Sequence, residues 1–356
     1  MSYKPLAGLT VIELASVLAG PAVGMFFAEL GARVIKIENR SRGGDMTRSW
    51  KLQSEDPSSP TSAYFSSVNY KKEYVDLDLN RAEDQERLQE LISSADIFLN
   101  NMKDSSAIRF GVDGPSLRAR YPALIIAILH GFAEGSEHVA FDIVLQAETG
   151  YISMCGSEGH PAKLPIAFID ILAAHQLKEA ILLAMIQKGK DGKGALITTS
   201  LEECALSSLA NQGSNYLMEG FVPRAMGTLH PNIAPYGEVL ETKEGKRYVL
   251  AVGTNRQFRG LCDILGLGIA DDARFAVNQE RLIHRNELYA LLAHASSILN
   301  GDEFYAACLK HKVPMGEIKS LDEVLESATA KSMVVREDIE GTPTKRLRSV
   351  AFSIER

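Results

Sequence analysis

The sequence predicts an α/β protein, with a Rossmann-like, doubly wound larger domain and a smaller α+β domain. Three observations predict it. Short β-rich runs alternate with amphipathic helical stretches through the first half of the chain. Continuous apolar runs such as Leu124–Leu129 suit strands covered on both faces. Near Pro223 the texture changes to loop-like and then mainly helical sequence.

The first unit is "GLTVIELASVLAGPAVGMFFAELGARVIKIE". Leu9–Leu14 and Arg33–Glu38 read as strands around a helix over Pro21–Leu30. Pro21 suits the first helical turn, where its missing N–H costs nothing. Gly31 suits the helix exit, where a positive φ is needed. A strand–helix–strand of this length implies parallel strands and a right-handed crossover. The turn reads Leu18-Ala19-Gly20-Pro21, so the GxGxxG spacing of a pyrophosphate-binding loop is missing.

The pattern recurs with a strand at Tyr74–Leu77, a helix at Ala82–Ser94 and a strand at Asp96–Asn100. Ser116–Tyr121 reads as helix and Leu124–Leu129 as a central strand. Gly43–Pro60, rich in Ser, Asp, Gly and Pro, reads as a surface loop. A helix over Ile171–Gln187, the turn "KGKDGKG" and the strand "ALITTS" complete this half. The expected division is a larger domain at 1–205, a linker at 206–222 and a smaller domain at 223–327. In the smaller domain "KRYVLAVG" reads as a strand, and helices are expected at Asn255–Leu265, Asn278–Ala295 and Asp302–His311. The segment 328–356 has strand periodicity and is expected to return to the larger domain.

With 356 residues, 46% of them hydrophobic, the chain can bury a substantial core. A net charge of −7 gives no global field for nucleic acid. Glu13, Pro21 and Glu29 interrupt the apolar N-terminal stretch, which argues against a membrane span or signal peptide. Cys155, Cys204, Cys262 and Cys308 are widely spaced, without CxxC or clustered histidines. No metal is therefore expected, and reduced thiols suit a cytoplasmic protein.

Asp170 is the first candidate for chemistry. It ends the apolar "LPIAFID" and precedes a helix, where an aspartate commonly serves as an N-cap. The same position suits a nucleophile, because the helix dipole favours the ionised carboxylate. Asp142 and Glu148 lie in the largely apolar "FDIVLQAETG" and would otherwise be solvated edge residues. The histidines show no HExxH or HxH spacing; His130 reads as a core residue and His230 as a loop residue. Arg40, Arg42, Lys71, Lys72 and Arg109 are each unremarkable as surface charges. Together they lie near expected strand ends, where α/β sheets bind ligands, and would suit a phosphorylated one. Walker A, Gly-x-Ser-x-Gly and kinase motifs are absent.

With these residues laid out, the chain resembles family III CoA-transferases, the group that includes formyl-CoA:oxalate and carnitine CoA-transferases. The resemblance runs from Leu6 to Phe352 through "LAGLTVIELASVLAGP", "GARVIKIE", "GGDMTRSW", "SAYFSSVNYKK", "FDIVLQAETG", "GKGALITTSL", "HPNIAPYG" and "VPMGEIKSLDEV", in order. It implies that the first strand–turn–helix receives coenzyme A, supplied as acyl-CoA, with Val17, Leu18 and Ala19 at the turn. It implies Arg40, Lys72, Asn101, Met102 and Arg109 around the nucleotide, with Asn39 standing where formyl-CoA transferases carry arginine. Asp170 falls on the family's catalytic aspartate, which passes through a mixed anhydride and an aspartyl-CoA thioester. Trp50, Phe141, Asp142 and Gly227 are expected to shape the acyl pocket. The loop "RAMGTLHPN" has a single glycine, Gly227, where formyl-CoA transferases carry a polyglycine run; an acceptor acid less polar than oxalate is expected.

The same fold family contains α-methylacyl-CoA racemases, which need proton-transferring groups on both faces of the α-carbon. Phe141 stands at their histidine position and Asn255 near their glutamate, and neither side chain shuttles a proton. A non-catalytic acyl-CoA-binding protein, with Asp170 only capping a helix, is the third alternative. The resemblance further implies ring-like subunits that thread through one another as an interlocked homodimer. No nucleic-acid or membrane partner is expected.

Overall fold

A computed structural model describes residues 4–133, 136 and 138–355. The chain divides into two compact units: residues 1–152, 163–222 and 328–356 form the first, and 153–162 with 223–327 form the second.

The first unit is built on a six-stranded, fully parallel sheet. Its strands are β1 (Thr10–Leu14), β2 (Arg33–Glu38), β3 (Lys72–Asp76), β4 (Ile97–Asn100), β5 (Ile125–His130) and β6 (Leu196–Ser200). Their spatial order is 3-2-1-4-5-6. The order reverses direction between β1 and β4, and the crevice at the carboxyl ends of these two strands is where such sheets take ligands.

Successive strand residues feed opposite cores, as the two-residue period requires. Val11, Val34, Leu99 and Ala127 pack under helices α1 (Ala19–Glu29), α5 (Phe168–Asp191) and α6 (Leu201–Ser207). Ile12, Ile35, Phe98 and Ile126 pack under α2 (Ala82–Ser93) and α3 (Gly114–Arg120) on the other face. A further helix, α4 (Asp142–Glu148), adds Leu145 to the first core. The sheet is thus covered on both sides, as the continuous apolar strands suggested.

Several boundaries moved, each for a local reason. The long helix starts at Phe168 and runs through Lys188, Lys190 and Asp191 before Gly192 ends it at φ +73°. The expected turn at Lys188 is therefore a helical last turn, where lysines favour the dipole's negative end. Gly43–Pro60 is not simply a surface loop: a short 3₁₀ turn at Met46–Ser49, capped by Asp45, keeps Asp45, Thr47 and Arg48 buried within it. Gly24, mid-helix in α1, has a physical reason. A Cβ there would lie 1.8 Å from Oε2 of buried Glu13 on β1.

In the first unit's last segment, β10 (Val334–Ile339) and β11 (Thr342–Leu347) form an antiparallel hairpin. The chain beyond it is latched to the end of α1, where Glu29 accepts hydrogen bonds from Ser349 N at 3.0 Å and Val350 N at 2.9 Å.

In the second unit a three-stranded antiparallel sheet contains β7 (Tyr236–Glu241), β8 (Arg247–Ala251) and β9 (Met315–Glu317), with β8 central. Helix α7 (Asn255–Ile264) carries a Thr254/Gln257 capping box. The expected helix at Asn278–Ala295 is broken at His284 into Asn278–Ile283 and Arg285–Ser296. Gly156–Ser157 pairs with His160–Pro161, and Gly227 N donates to Gly156 O at 2.7 Å, tying 153–162 to this unit. No helix among the described residues is long and apolar enough to cross a membrane.

Candidate active site

Two neighbouring cavities open at the carboxyl ends of β1, β4 and β5. The first, of about 310 Å³, is lined by Val17, Leu18, Ala19, Asn101, Met102, Phe141 and Asp170, among others. The second, about 300 Å³, shares Ser16, Asn101 and Met102 with it and reaches toward Asn39, Arg42 and Asn80. Val17 and Asp170, far apart in sequence, thus meet at the switch point of the sheet.

Asp170 is not the helix cap. It is the third residue of α5, inside its first turn, and only 6% exposed. The cap comes from another helix. Asp142, the first residue of α4, accepts Ile169 N at 2.7 Å and Asp170 N at 3.4 Å. Its other oxygen accepts Gln146 Nε2 at 2.6 Å, and buried Gln146 accepts Leu164 N at 2.8 Å. Asp142 therefore fixes the approach to α5 and leaves the carboxylate of Asp170 free. No hydrogen bond reaches that carboxylate from the described residues. Burial first, and then the charge of Asp142, push its pKa up to about 7.

Aromatic groups gather beside it. Trp50 meets the ring of Tyr64 at 5.0 Å and that of Phe141 at 6.5 Å, and Phe141 lines the cavity. Burial and the charges of Asp170, Asp142 and Asp45 push the Tyr64 phenol up to about 12, so it stays protonated. Sequence reasoning missed Tyr64 because nothing in "SAYFSS" marks it. It also took His130 as a core residue, whereas its position at the carboxyl end of β5 places it on the cavity wall. The strand-end rule could have flagged it.

The basic residues fare differently. Lys72 lines neither cavity: it is buried, and its ammonium donates to Glu13 at 2.9 Å, Pro21 O at 2.9 Å and Asn69 at 2.8 Å. All three hydrogens are spent on the core, which leaves none for the expected phosphate contact in this arrangement. Burial holds its pKa down to about 8 despite Glu13. Arg40 pairs with Glu340 at 2.7 Å, while its neighbour Arg42 lines the second cavity. Arg109 donates to Asn80 at 2.8 Å and remains exposed. Asn101 grips Ser16 from both sides, accepting its N–H at 3.1 Å and donating to its carbonyl at 2.9 Å. Gly227 lies in the second unit at φ +66°. Asn255 accepts from Arg281 at 2.9 Å within that unit. Among the described residues no group of three or more His, Cys, Asp or Glu could hold a metal.

Comparison with known proteins agrees with this arrangement. A succinate–glutarate CoA-transferase of Agrobacterium fabrum is 37% identical over 94% of this chain and 85% of its own. A succinyl-CoA:glutarate CoA-transferase of Mus musculus is 29% identical over 92% and 75% respectively. The crystal structure of a CaiB/BaiF family protein from Brucella suis superposes with a TM-score of 0.82, at 35% identity, over 99% of this chain and 93% of that one. The sequence profile of CoA-transferase family III matches residues 6–355. The chain belongs to CoA-transferase family III and is a CoA-transferase.

Proposed function

We propose that this enzyme moves CoA from an acyl-CoA donor to a dicarboxylic acid through covalent intermediates on Asp170. The observation that carries the reading is a buried carboxylate in the first turn of α5, unpaired among the described residues and exposed to a cavity at the switch point of the sheet. A carboxylate in such a place has no protein donor on it, which leaves its lone pairs available to a substrate in the cavity.

In the first step an oxygen of Asp170 attacks the thioester carbonyl, the C–S bond breaks, and a mixed anhydride and CoA thiolate result. The thiolate then attacks the aspartyl carbonyl, forming an aspartyl–CoA thioester and releasing the donor acid. The acceptor carboxylate attacks that thioester, regenerating thiolate and a new anhydride. Attack of the thiolate on the acceptor's acyl carbon gives the new acyl-CoA and frees Asp170. Each step conserves one activated acyl bond, so no nucleotide hydrolysis is needed, and water must be kept out. The apolar wall of Trp50, Tyr64 and Phe141 suits that requirement.

CoA would enter along the turn at Val17, Leu18 and Ala19, with Asn101 and Met102 where the two cavities join and the nucleotide toward Asn39, Arg42 and Asn80. The names of the relatives support succinate and glutarate as the acid pair. Phe141 in place of a proton-carrying histidine disfavours racemisation. We assign CoA binding to the larger domain at 1–205 and expect the ring-like, interlocked homodimer of the family. Free cysteines fit a cytoplasmic setting.

The test is CoA exchange from succinyl-CoA to a panel of acids. Exchange into glutarate with the wild type, and none with Asp170→Ala, is expected. Exchange undiminished in the variant would overturn the covalent reading, and sedimentation as an active monomer would overturn the dimer.

A further inference from the structure

The turn between β1 and α1 contains a backbone outlier. Val17 has φ +73°, a left-handed conformation that a β-branched residue adopts only under constraint. Such a conformation is strained and persists only where the surroundings over-determine it. Here they do. Three successive residues are gripped from below: Lys36 Nζ donates to Ala15 O at 2.6 Å, Asn101 pairs both ways with Ser16, and Val17 N donates to both oxygens of Asp45, at 3.3 and 3.2 Å.

Asp45 is itself held. It is 4% exposed, pairs with Lys36 at 3.0 Å, and accepts Thr47 N at 3.0 Å and Thr47 Oγ1 at 2.8 Å. Its own N–H is fixed by Glu38 at 2.9 Å. Beyond Val17 the pattern stops. Helix α1 has no side-chain cap, and the N–H groups of Leu18, Ala19 and Gly20 have no partner among the described residues. The clamped turn is itself part of the cavity wall: Ser16 and Val17 line the cavity together with Leu18, Ala19 and Asp170.

We propose that Asp45, seated on Lys36, is a positioning residue for catalysis: it holds Val17 in the left-handed conformation that presents Leu18 and Ala19 to the cavity of Asp170. This rests on the reading that the turn receives the acyl-CoA thioester. Asp45 is not part of the cavity of Asp170; it borders the second cavity, and its effect on the reacting end of the substrate runs through the turn.

The test is a double-mutant cycle with kinetics. Asp45→Asn removes the charge that draws Val17 N–H and Lys36 together, and kcat/KM for succinyl-CoA falls at least tenfold. Glycine adopts the left-handed region without a Cβ penalty. In a Val17→Gly background the same Asp45→Asn change therefore costs at least threefold less. A smaller difference between backgrounds, or an Asp45→Asn enzyme within twofold of wild type, overturns the proposal. Should Asp45→Asn not fold, amide hydrogen exchange on the wild type decides. Val17 N–H must exchange at least a hundredfold more slowly than those of Leu18 and Ala19, and equal rates overturn the clamp. Added CoA separates the two readings: if it leaves exchange across residues 16–20 unchanged, the CoA assignment of the turn fails, whatever the clamp does.

Discussion

Asp45 and Asp170 are buried to almost the same degree, at 4% and 6% exposure, and border two adjoining cavities. Their surroundings differ completely. Burial works to raise Asp45, but Lys36 and the Thr47 N–H and hydroxyl outweigh it and hold the carboxylate below its ordinary range. Among the described residues neither a cation nor a donor reaches Asp170, and burial with the Asp142 charge carries it to about 7. The comparison teaches how a fold separates two uses of one functional group. A saturated carboxylate has a permanent charge and works as a fixed anchor. An unsaturated one is reactive because nothing else occupies its lone pairs.

The largest effect is expected at Asp170 itself. Asp170→Asn keeps the shape of the side chain and removes the nucleophile, so kcat falls by roughly three orders of magnitude or more. Steady-state CoA exchange measures it; a loss under tenfold would put Asp170 in the same anchoring class as Asp45.

Next comes the buried network on the other side of the comparison. Lys72→Met leaves Glu13 with Lys36 as its remaining cation and is expected to destabilise the fold by about 3 kcal/mol. Urea unfolding checks this. The KM for acyl-CoA in the folded fraction should stay near that of the wild type, because Lys72 serves the core and not the ligand.

A third effect has the opposite sign. The folded-state pKa of Asp170 lies above its ordinary value, so the folded state binds a proton that the unfolded state releases. The stability this contributes is present at low pH and is lost as pH rises through about 7. Asp170→Asn is therefore expected to stabilise the fold by about 2 kcal/mol at pH 8 and by almost nothing near pH 4. Thermal unfolding at both pH values reads it. Destabilisation at pH 8 would mean that the carboxylate has a partner.

The smallest effect sharpens the cause. With Asp170 active when ionised, exchange activity falls as pH drops through about 7. Asp142→Asn still accepts the α5 N–H groups but removes the like charge, and should move this acid limb downward by about 1 in pH. A limb that does not move would leave burial as the whole cause.

How far the sequence reveals this arrangement depends on the length scale of each feature. The strands were legible because continuous apolar runs have few other uses in a parallel sheet, and β2 falls at Arg33–Glu38 as read. The order 3-2-1-4-5-6 was not legible, because right-handed crossovers set the hand of each connection and not which edge of the sheet the next strand joins. Asp170 stood out by its place between an apolar run and a helix, although of its two readings there, cap and nucleophile, the structure excludes the cap. The actual cap, Asp142, lies 28 residues away, and only the packing of α4 against α5 brings it there. Lys72 was misread for a related reason: a lysine at a strand edge looks solvated until Glu13, Pro21 and Asn69 are seen to enclose it. Charges in "GGDMTR" looked like a polar loop, because burial of Asp45 and Arg48 depends on partners on β2.

The most direct measurement is mass spectrometry of the enzyme trapped during exchange. Protein incubated with succinyl-CoA is quenched with hydroxylamine or borohydride and digested, and the peptide containing Phe168–Lys178 is sequenced. The account predicts a hydroxamate or alcohol at Asp170, and only when acyl-CoA is present. An unmodified Asp170 in enzyme that is exchanging CoA at its normal rate would contradict it.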